Sequence, residues 1–426
     1  MHMANAFDPD STSELPARTA ELLSRREKVL SASYRLFYQE PVEAARAEGA
    51  WLYDSAGRAH LDMYNNVPAI GHAHPAVTEA VTAQLELVNT HTRYLSEPIL
   101  DYSEALLATF PEALDQVTFA CSGSEAVDLA VRMARSATGH AGAIISSHAY
   151  HGTTALAAGL SPSLGVNNPV AEAVATVEMR PGMSVETLAA RVRQAAAELE
   201  ARGHGVAALL CDSIFSSDGV LPDPVGGLAA AADVARAFGG IVIADEVQPG
   251  FGRTGTMWGF SRHDMIPDLV VLGKPMGNGM PISAVVSRRE VSDEFGRRVR
   301  YFNTFGGSPV CVAAAHAVLD VVSGQRLPAH ARQLGQVLAD GLAVRAGRTE
   351  LLGQVRAAGL FIGVGTADAA TAAAIVNGLR RRRVLISASG PGADVLKIRP
   401  PLVFDSAEAE VFFAALDETL EELEPS

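Results

Sequence analysis

The chain has 426 residues, 48% hydrophobic and 19% charged, which is too long for one small core and apolar enough to fold. A formal charge of −14 repels phosphate backbones and argues against nucleic acid as a partner, while allowing one anionic group in a locally basic pocket. No apolar run reaches the ~20 residues needed to span a bilayer, so no membrane partner is expected. Three scattered cysteines, Cys121, Cys211 and Cys311, form no CxxC pair. They argue against a disulfide framework or a metal cluster, suit a reducing cytoplasm, and each reads as a small buried hydrophobe.

In chain order, Met1–Glu14 is polar, lacks a signal-peptide core and is expected to be poorly ordered. Trp51–Tyr53 and His60–Met63 read as a hairpin around Asp54–Arg58. Short apolar runs bounded by Gly, Ser, Asp or Pro then predict strands at Gln116–Cys121, Ala143–Ser146, Ala207–Cys211, Ile241–Ala244, Leu269–Leu272 and Ile282–Val286. Their near-continuous hydrophobicity is that of strands covered on both faces. Helical periodicity lies between them at Glu125–Arg135, Leu188–Ala201 and Leu228–Phe238. This alternation predicts a mostly parallel, doubly wound α/β sheet, which binds ligands at the carboxyl ends of its strands. After Pro309 come helices at Val312–Val322 and Ala367–Arg382 and strands at Val384–Ile386 and Val395–Ile398. The expected division is an N-terminal arm with a small-domain segment (1–60), a large domain (61–309) and a smaller α+β domain (310–426). The basic run Arg380–Arg383 reads as a solvated helix end.

The chain has no HExxH, GxSxG or GxGxxG, and Gly273-Lys274 is followed by Pro275, so it is not a P-loop. The remaining chemistry sits at strand ends. Ser122-Gly123-Ser124 turns a strand into a helix, where free N–H groups and the dipole favour a phosphate. The same serine is equally readable as an ordinary N-cap. Asp245 follows an apolar strand and would face the crevice. A carboxylate there keeps a pyridine nitrogen protonated, because an opposite charge favours the charged form. Gln248 is close enough in sequence to reach the same ring. Lys274 ends another strand amid glycines and apolar residues, where desolvation makes an amine nucleophilic. Tyr150 can stack on a flat ring, and Thr304 offers a hydroxyl in a glycine-rich loop. Singly, each also fits a cap, a solvent-facing acid or a surface lysine.

Taken together, the sequence resembles the class III (subgroup II) aminotransferases of the pyridoxal-phosphate (PLP) fold-type I group. The match is closest over Ile243-Ala-Asp-Glu-Val-Gln-Pro-Gly-Phe-Gly-Arg-Thr-Gly255, Asp268 and Lys274. It also takes in Gly71-His-Ala-His-Pro75, Ser122-Gly-Ser-Glu-Ala126, Tyr150-His-Gly152, Thr304-Phe-Gly-Gly307 and Pro400-Pro-Leu402. The resemblance implies fold type I, a large domain with a mostly parallel mixed sheet flanked by helices plus a smaller C-terminal α+β domain. It implies that Lys274 is the Schiff-base lysine, Asp245 the pyridinium partner and Gln248 the partner of the ring's phenolic oxygen. Ser122, Gly123 and Ser124 match the phosphate cup and Tyr150 the stacking aromatic. Thr304 matches a threonine that reaches the phosphate of the neighbouring subunit's cofactor, which implies a homodimer with active sites at its interface.

Members of this family transfer amino groups, move them, epimerise or eliminate. Those that switch between two substrates commonly have Glu-Pro at the end of the strand matching Ala207–Cys211. Here Asp212 keeps an acid at the cofactor site, the proline is lost, and the second glutamate position is Ser217, which puts the usual glutamate-binding switch in doubt. Asp62-Met-Tyr-Asn-Asn-Val67, Asn89-Thr-His-Thr-Arg-Tyr-Leu95 and Leu396-Lys-Ile-Arg-Pro-Pro401 look like the branch that contains amino-alcohol phosphate phospho-lyases. Arg93, Lys397 and Arg399 are the candidate substrate-binding cations. Transamination of a small amine or amino acid therefore ranks first. Elimination of phosphate and ammonia from a phosphorylated amino alcohol comes second, then aminomutase or epimerase activity. A non-catalytic PLP-fold protein comes last, because Lys274 and Asp245 are both intact.

Overall fold

The computed structural model describes residues 5–8 and 15–424. Most of the segment expected to be poorly ordered lies outside these residues. Asn5–Asp8 lies inside them and is pinned: Ala6 bridges Phe37, and Tyr38 N donates to the Asn5 carbonyl. Among the described residues, fifteen strands make three sheets. In chain order they are β1 (Arg46–Glu48), β2 (Trp51–Tyr53), β3 (Ala59–Asp62), β4 (Gln116–Ala120), β5 (Gly142–Ser146), β6 (Val174–Val177), β7 (Val206–Asp212), β8 (Ile241–Asp245), β9 (Leu269–Leu272) and β10 (Ser283–Ser287). They continue as β11 (Leu352–Ala358), β12 (Phe361–Thr366), β13 (Val384–Leu385), β14 (Ser387–Ser389) and β15 (Val395–Ile398).

The central sheet runs β4-β10-β9-β8-β7-β5-β6. Strands β6, β5, β7, β8 and β9 are mutually parallel, and β10 is antiparallel to both of its neighbours. This is the expected mostly parallel sheet, of PLP fold type I. Its strands are apolar throughout because helices cover both faces. Val242, Ile243, Ala244, Val270, Val271 and Leu272 are all fully buried, alternating between the core on one side and the core on the other. The helix Gly123–Thr138 buries Ala126, Val127, Ala130, Val131 and Ala134 in one of them. Edge strand β6 was not foreseen from the sequence.

The hairpin β2–β3 forms as expected, and short β13 joins β3 in parallel, so the N-terminal strands share a sheet with a C-terminal one. A third sheet, β11-β12-β15-β14, holds β15 in the middle of its antiparallel ladder. The helix Pro309–Gly324 serves both main cores: Val312, Ala315 and Leu319 face the central sheet's core, while Ala314, Val318 and Val322 face the other. A second tie is Arg253, 1% exposed, whose Nη1 donates to the carbonyls of Leu360 and Pro400. Burial lowers this guanidinium's pKa to about 9.

Two expectations are corrected. Arg380 is not part of a solvated helix end. It is 6% exposed, and its guanidinium donates to the Glu40 carbonyl at 3.0 Å. The helix Ala369–Arg381 lays that residue inward, so only the rest of the run reaches the surface and its acids at Glu418 and Glu422. Cys121 is half-buried rather than buried, because it ends β4 beside an open turn; Cys211 and Cys311 are buried, and all three are free.

Two helical glycines separate intrinsic propensity from packing. Alanine is the better helix former by about 1 kcal/mol. At Gly296 an added methyl meets nothing within 4 Å, but at Gly335 it would lie 2.1 Å from the Gly359 carbonyl oxygen. We expect Gly296→Ala to leave the thermal midpoint unchanged or raise it, and Gly335→Ala to lower it by several degrees, measured by differential scanning calorimetry.

Candidate active site

An open cavity lies at the carboxyl ends of β5, β7, β8 and β9, between Gly123, Tyr150, Asp212, Asp245, Gln248 and Lys274. Its floor is the turn from β4 into the helix Gly123–Thr138. Ser122 caps that helix: its Oγ accepts from Glu125 N, and the Glu125 carboxylate accepts from the backbone N of Cys121 and of Ser122. The capping reading of Ser122 therefore holds. The N–H groups of Gly123 and Ser124, in the first turn, have no intrahelical acceptor and remain for an anion. A Cβ at Gly152, φ +139°, would sit 2.5 Å from Ser124 Oγ, so only glycine lets the Tyr150-His151-Gly152 turn close over the cup. Ser124 Oγ accepts from Thr153 N at 3.0 Å, which leaves its hydrogen available to a ligand.

Asp212 and Asp245 end neighbouring parallel strands in register. The Asp212 oxygens accept from Ile214 N and Ser216 N, each at 2.9 Å. Burial first, and the Asp245 charge in addition, push the Asp212 carboxyl up. Asp245 is 5% exposed: Oδ1 accepts from Val247 N at 3.1 Å, and Oδ2 lies 2.7 Å from His151 Nδ1. With Asp245 as a carboxylate, Nδ1–H is the donor, and His151 Nε2 is buried without a partner. His151 was not singled out from the sequence. Its only signal was adjacency to Tyr150.

Lys274 follows β9 with φ +31°, a left-handed conformation that a non-glycine residue adopts at a cost. It touches solvent through the cavity and is otherwise enclosed. That enclosure lowers its pKa from the ordinary lysine value; Arg399 lowers it further, and Asp245 opposes the shift. Gln248 stands between two groups: its Nε2 donates to Ser216 Oγ at 2.7 Å, and its Oε1 accepts from Arg399 Nη1 at 2.6 Å. The second amide hydrogen stays free for a ring oxygen.

Lys397 and Arg399 are 8% and 6% exposed, so both are interior cations. Lys397 Nζ donates to the Ser216 carbonyl at 3.0 Å. Burial pushes the Lys397 amine well down, and Arg399 pushes it further. Arg93 and Thr304 lie elsewhere. Arg93 stacks over Phe302, 3.8 Å from the ring centroid, and Thr304 is exposed on the same face. None of these four lines the cavity of its own chain; Arg399 meets its wall through Gln248.

These residues fit PLP on grounds internal to the structure. There is a glycine-walled helix N-terminus for its phosphate, a buried carboxylate for its ring nitrogen, and a desolvated amine beside that carboxylate. The fold and the cavity together define a PLP enzyme of fold type I. The chain belongs to the class-III aminotransferases, whose family model matches residues 37–420. It is 35% identical to the ethanolamine-phosphate phospho-lyase homolog 1 of Caenorhabditis elegans over 96% of this chain and 97% of that one. It is 36% identical to the alanine–glyoxylate aminotransferase 2-like protein of Drosophila melanogaster, over 94% and 87%. Among solved structures, a phospholyase from Arthrobacter in complex with phosphoethanolamine superposes with a TM-score of 0.92 at 42% identity, covering 95% of this chain and all of the other.

The amine and the carboxylate give separable expectations. Lys274→Ala should abolish the cofactor's near-visible absorption band and its covalent retention on borohydride treatment. Asp245→Ala should still take up cofactor, more weakly, and lower turnover by orders of magnitude, because an uncompensated ring nitrogen no longer holds its proton. Absorbance titration and steady-state kinetics read both.

Proposed function

We propose that this enzyme eliminates phosphate and ammonia from a short phosphorylated amino alcohol such as phosphoethanolamine. The observation that carries the reading is Arg399, an interior cation whose Nη1 bonds Gln248, a wall of the cavity, at 2.6 Å, with a second interior cation, Lys397, beside it. Buried cations of this kind are costly unless they meet an anion. The likenesses to two proteins named as phospho-lyases support the same reading and move it ahead of transamination, which the sequence alone ranks first.

Five residues divide the work. Ser124 and the helix start hold the cofactor's phosphate. Asp245, held by His151 Nδ1, keeps a proton on the ring nitrogen. Lys274 Nζ binds the cofactor covalently at rest, and as a free amine takes the proton from the substrate carbon that bears nitrogen. Bound PLP supplies the electron sink that makes this proton acidic. Arg399 and Lys397 stabilise the negative charge that collects on the leaving phosphate when its C–O bond breaks. Overall, phosphoethanolamine and water give acetaldehyde, ammonia and phosphate.

The same reading makes the active form a homodimer. Leu95, Leu100, Tyr94 and Phe302 line an apolar groove, with Leu95 and Phe305 102% and 70% exposed, a face that a monomer rarely leaves open. Thr304 lies on this face, placed to serve the partner's cofactor. We divide the chain at 60 and 309 into arm, large domain and small domain, with the sheet β1-β2-β3-β13 crossing between the first segment and the last. Among the described residues no single helix is long and apolar enough to cross a membrane. The free cysteines suit the cytoplasm.

Incubation with phosphoethanolamine should release phosphate and ammonia in equal amounts with the cofactor spectrum restored. Lasting conversion of the cofactor to its amine form, without phosphate release, would establish transamination instead. Thr304→Ala should lose cofactor faster on dialysis while remaining dimeric by sedimentation.

A further inference from the structure

We infer that Asn66 and Arg399 form the seat for the substrate's phosphate, and that the Tyr64 ring fixes the guanidinium that builds it. The inference rests on the elimination reading above.

The loop after β3 is a built one. Asp62, 1% exposed, accepts from Tyr64 N at 3.1 Å and Asn65 N at 3.0 Å through Oδ1, and its Oδ2 lies 2.8 Å from His72 Nε2. Arg399 N donates to the Met63 carbonyl at 2.7 Å, which locks this loop to the end of β15. Asn66, 2% exposed, is thereby set against Arg399, with Oδ1 3.4 Å from Nη1. Rotating the amide by half a turn would bring two donors together, so this orientation is the one that bonds.

Two donors are then left over. Asn66 Nδ2 and Arg399 Nε are buried and have no partner, a condition that costs about 1–3 kcal/mol per group. Asp62 acts on Arg399, and Asp212 and Asp218 act on Lys397, through space and without a direct ion pair among the described residues. Aromatic rings stand in for one. Arg399 Cζ lies 5.0 Å from the Tyr64 centroid and 5.5 Å from that of Phe361, and Lys397 Nζ is 5.4 Å from the same Phe361 ring. Rings hold cations in place without neutralising them. Two interior cations and an extra neutral donor suit a phosphate monoester, which has two charges and three terminal oxygens. A carboxylate offers one charge and two oxygens. Because Gln248 touches both Arg399 and the cavity, the phosphate would lie only a short chain away from the amine, which selects two- or three-carbon amino alcohols.

The test uses the cofactor-loaded enzyme, with inorganic phosphate as the calorimetric probe and phosphoethanolamine as the substrate. For Asn66→Leu, the Kd for phosphate should rise about 10- to 100-fold, the ratio for one lost hydrogen bond to a charged group. KM should rise with it, with a smaller fall in kcat and the cofactor band retained. Tyr64→Leu, which removes both the ring and the hydroxyl that act on Arg399, should bind phosphate about tenfold more weakly. If Asn66→Leu does not fold, Asn66→Ala, which removes the donor without adding a charge, provides the same readings. A folded Asn66 variant that releases phosphate with parental KM and Kd overturns the seat and leaves the elimination reading intact. A parent enzyme that neither binds inorganic phosphate nor releases it from phosphoethanolamine overturns both.

Discussion

An amine held away from bulk water beside a carboxylate is the constraint on which this molecule is built. Asp245 ends β8 and Lys274 lies two residues beyond the end of β9, and the register of β8 against β9 brings the two together. Neither position would tolerate loose packing. A lysine in water stays protonated and inert as a nucleophile, and a carboxylate in water turns towards solvent. The apolar central sheet, the two helical layers and the glycine-walled turns all serve to withhold water from this pair. Asp245 is further fixed by Val247 N on one oxygen and His151 on the other, which fixes the direction in which it faces a ring nitrogen.

Around that pair the interior holds an unusual number of charges. Asp212, Asp218 and Asp245 stand among Lys274, Lys397 and Arg399. Burial lifts the Asp218 carboxyl to about 6, although Ser146 Oγ and His148 N both donate to it. Burial pushes the Lys397 and Arg399 cations down. Ser216 is where these groups are sorted: its N serves Asp212, its Oγ serves Gln248, and its carbonyl serves both Lys397 and Ser389. The loop after β7, where the sequence lacks the family's Glu-Pro, has thus become the junction between the cofactor wall and the interior cations.

What could be read from the sequence follows from locality. Strands β7, β8 and β9 are short runs buried on both faces, so composition alone marks them, and the acid or amine that follows each is conspicuous. Strand β6 has a small Val-Ala-Thr-Val signal at an edge, and β11 and β12 interleave Gln354, Arg356, Gly363 and Gly365 with apolar residues. Neither pattern stands out. The site residues that went unrecognised owe their role to distant partners: His151 is 94 residues from Asp245, and Asn66 is 333 from Arg399. No local pattern encodes such a meeting. Arg93 and Thr304 looked like site residues for the same reason in reverse: their motifs are local, while the fold puts Arg93 on the Phe302 ring away from the cavity.

The guanidinium of Arg253 has a mechanical consequence. It grips two carbonyls, one in the turn between β11 and β12 and one in the Pro400-Pro401 segment, from a loop that belongs to the central sheet. A gripping point of this kind resists sliding far more than it resists rotation. Any displacement of one core against the other would have to break both of these buried bonds together, so the segment that carries Arg399 is tethered to the central sheet one residue beyond that guanidinium.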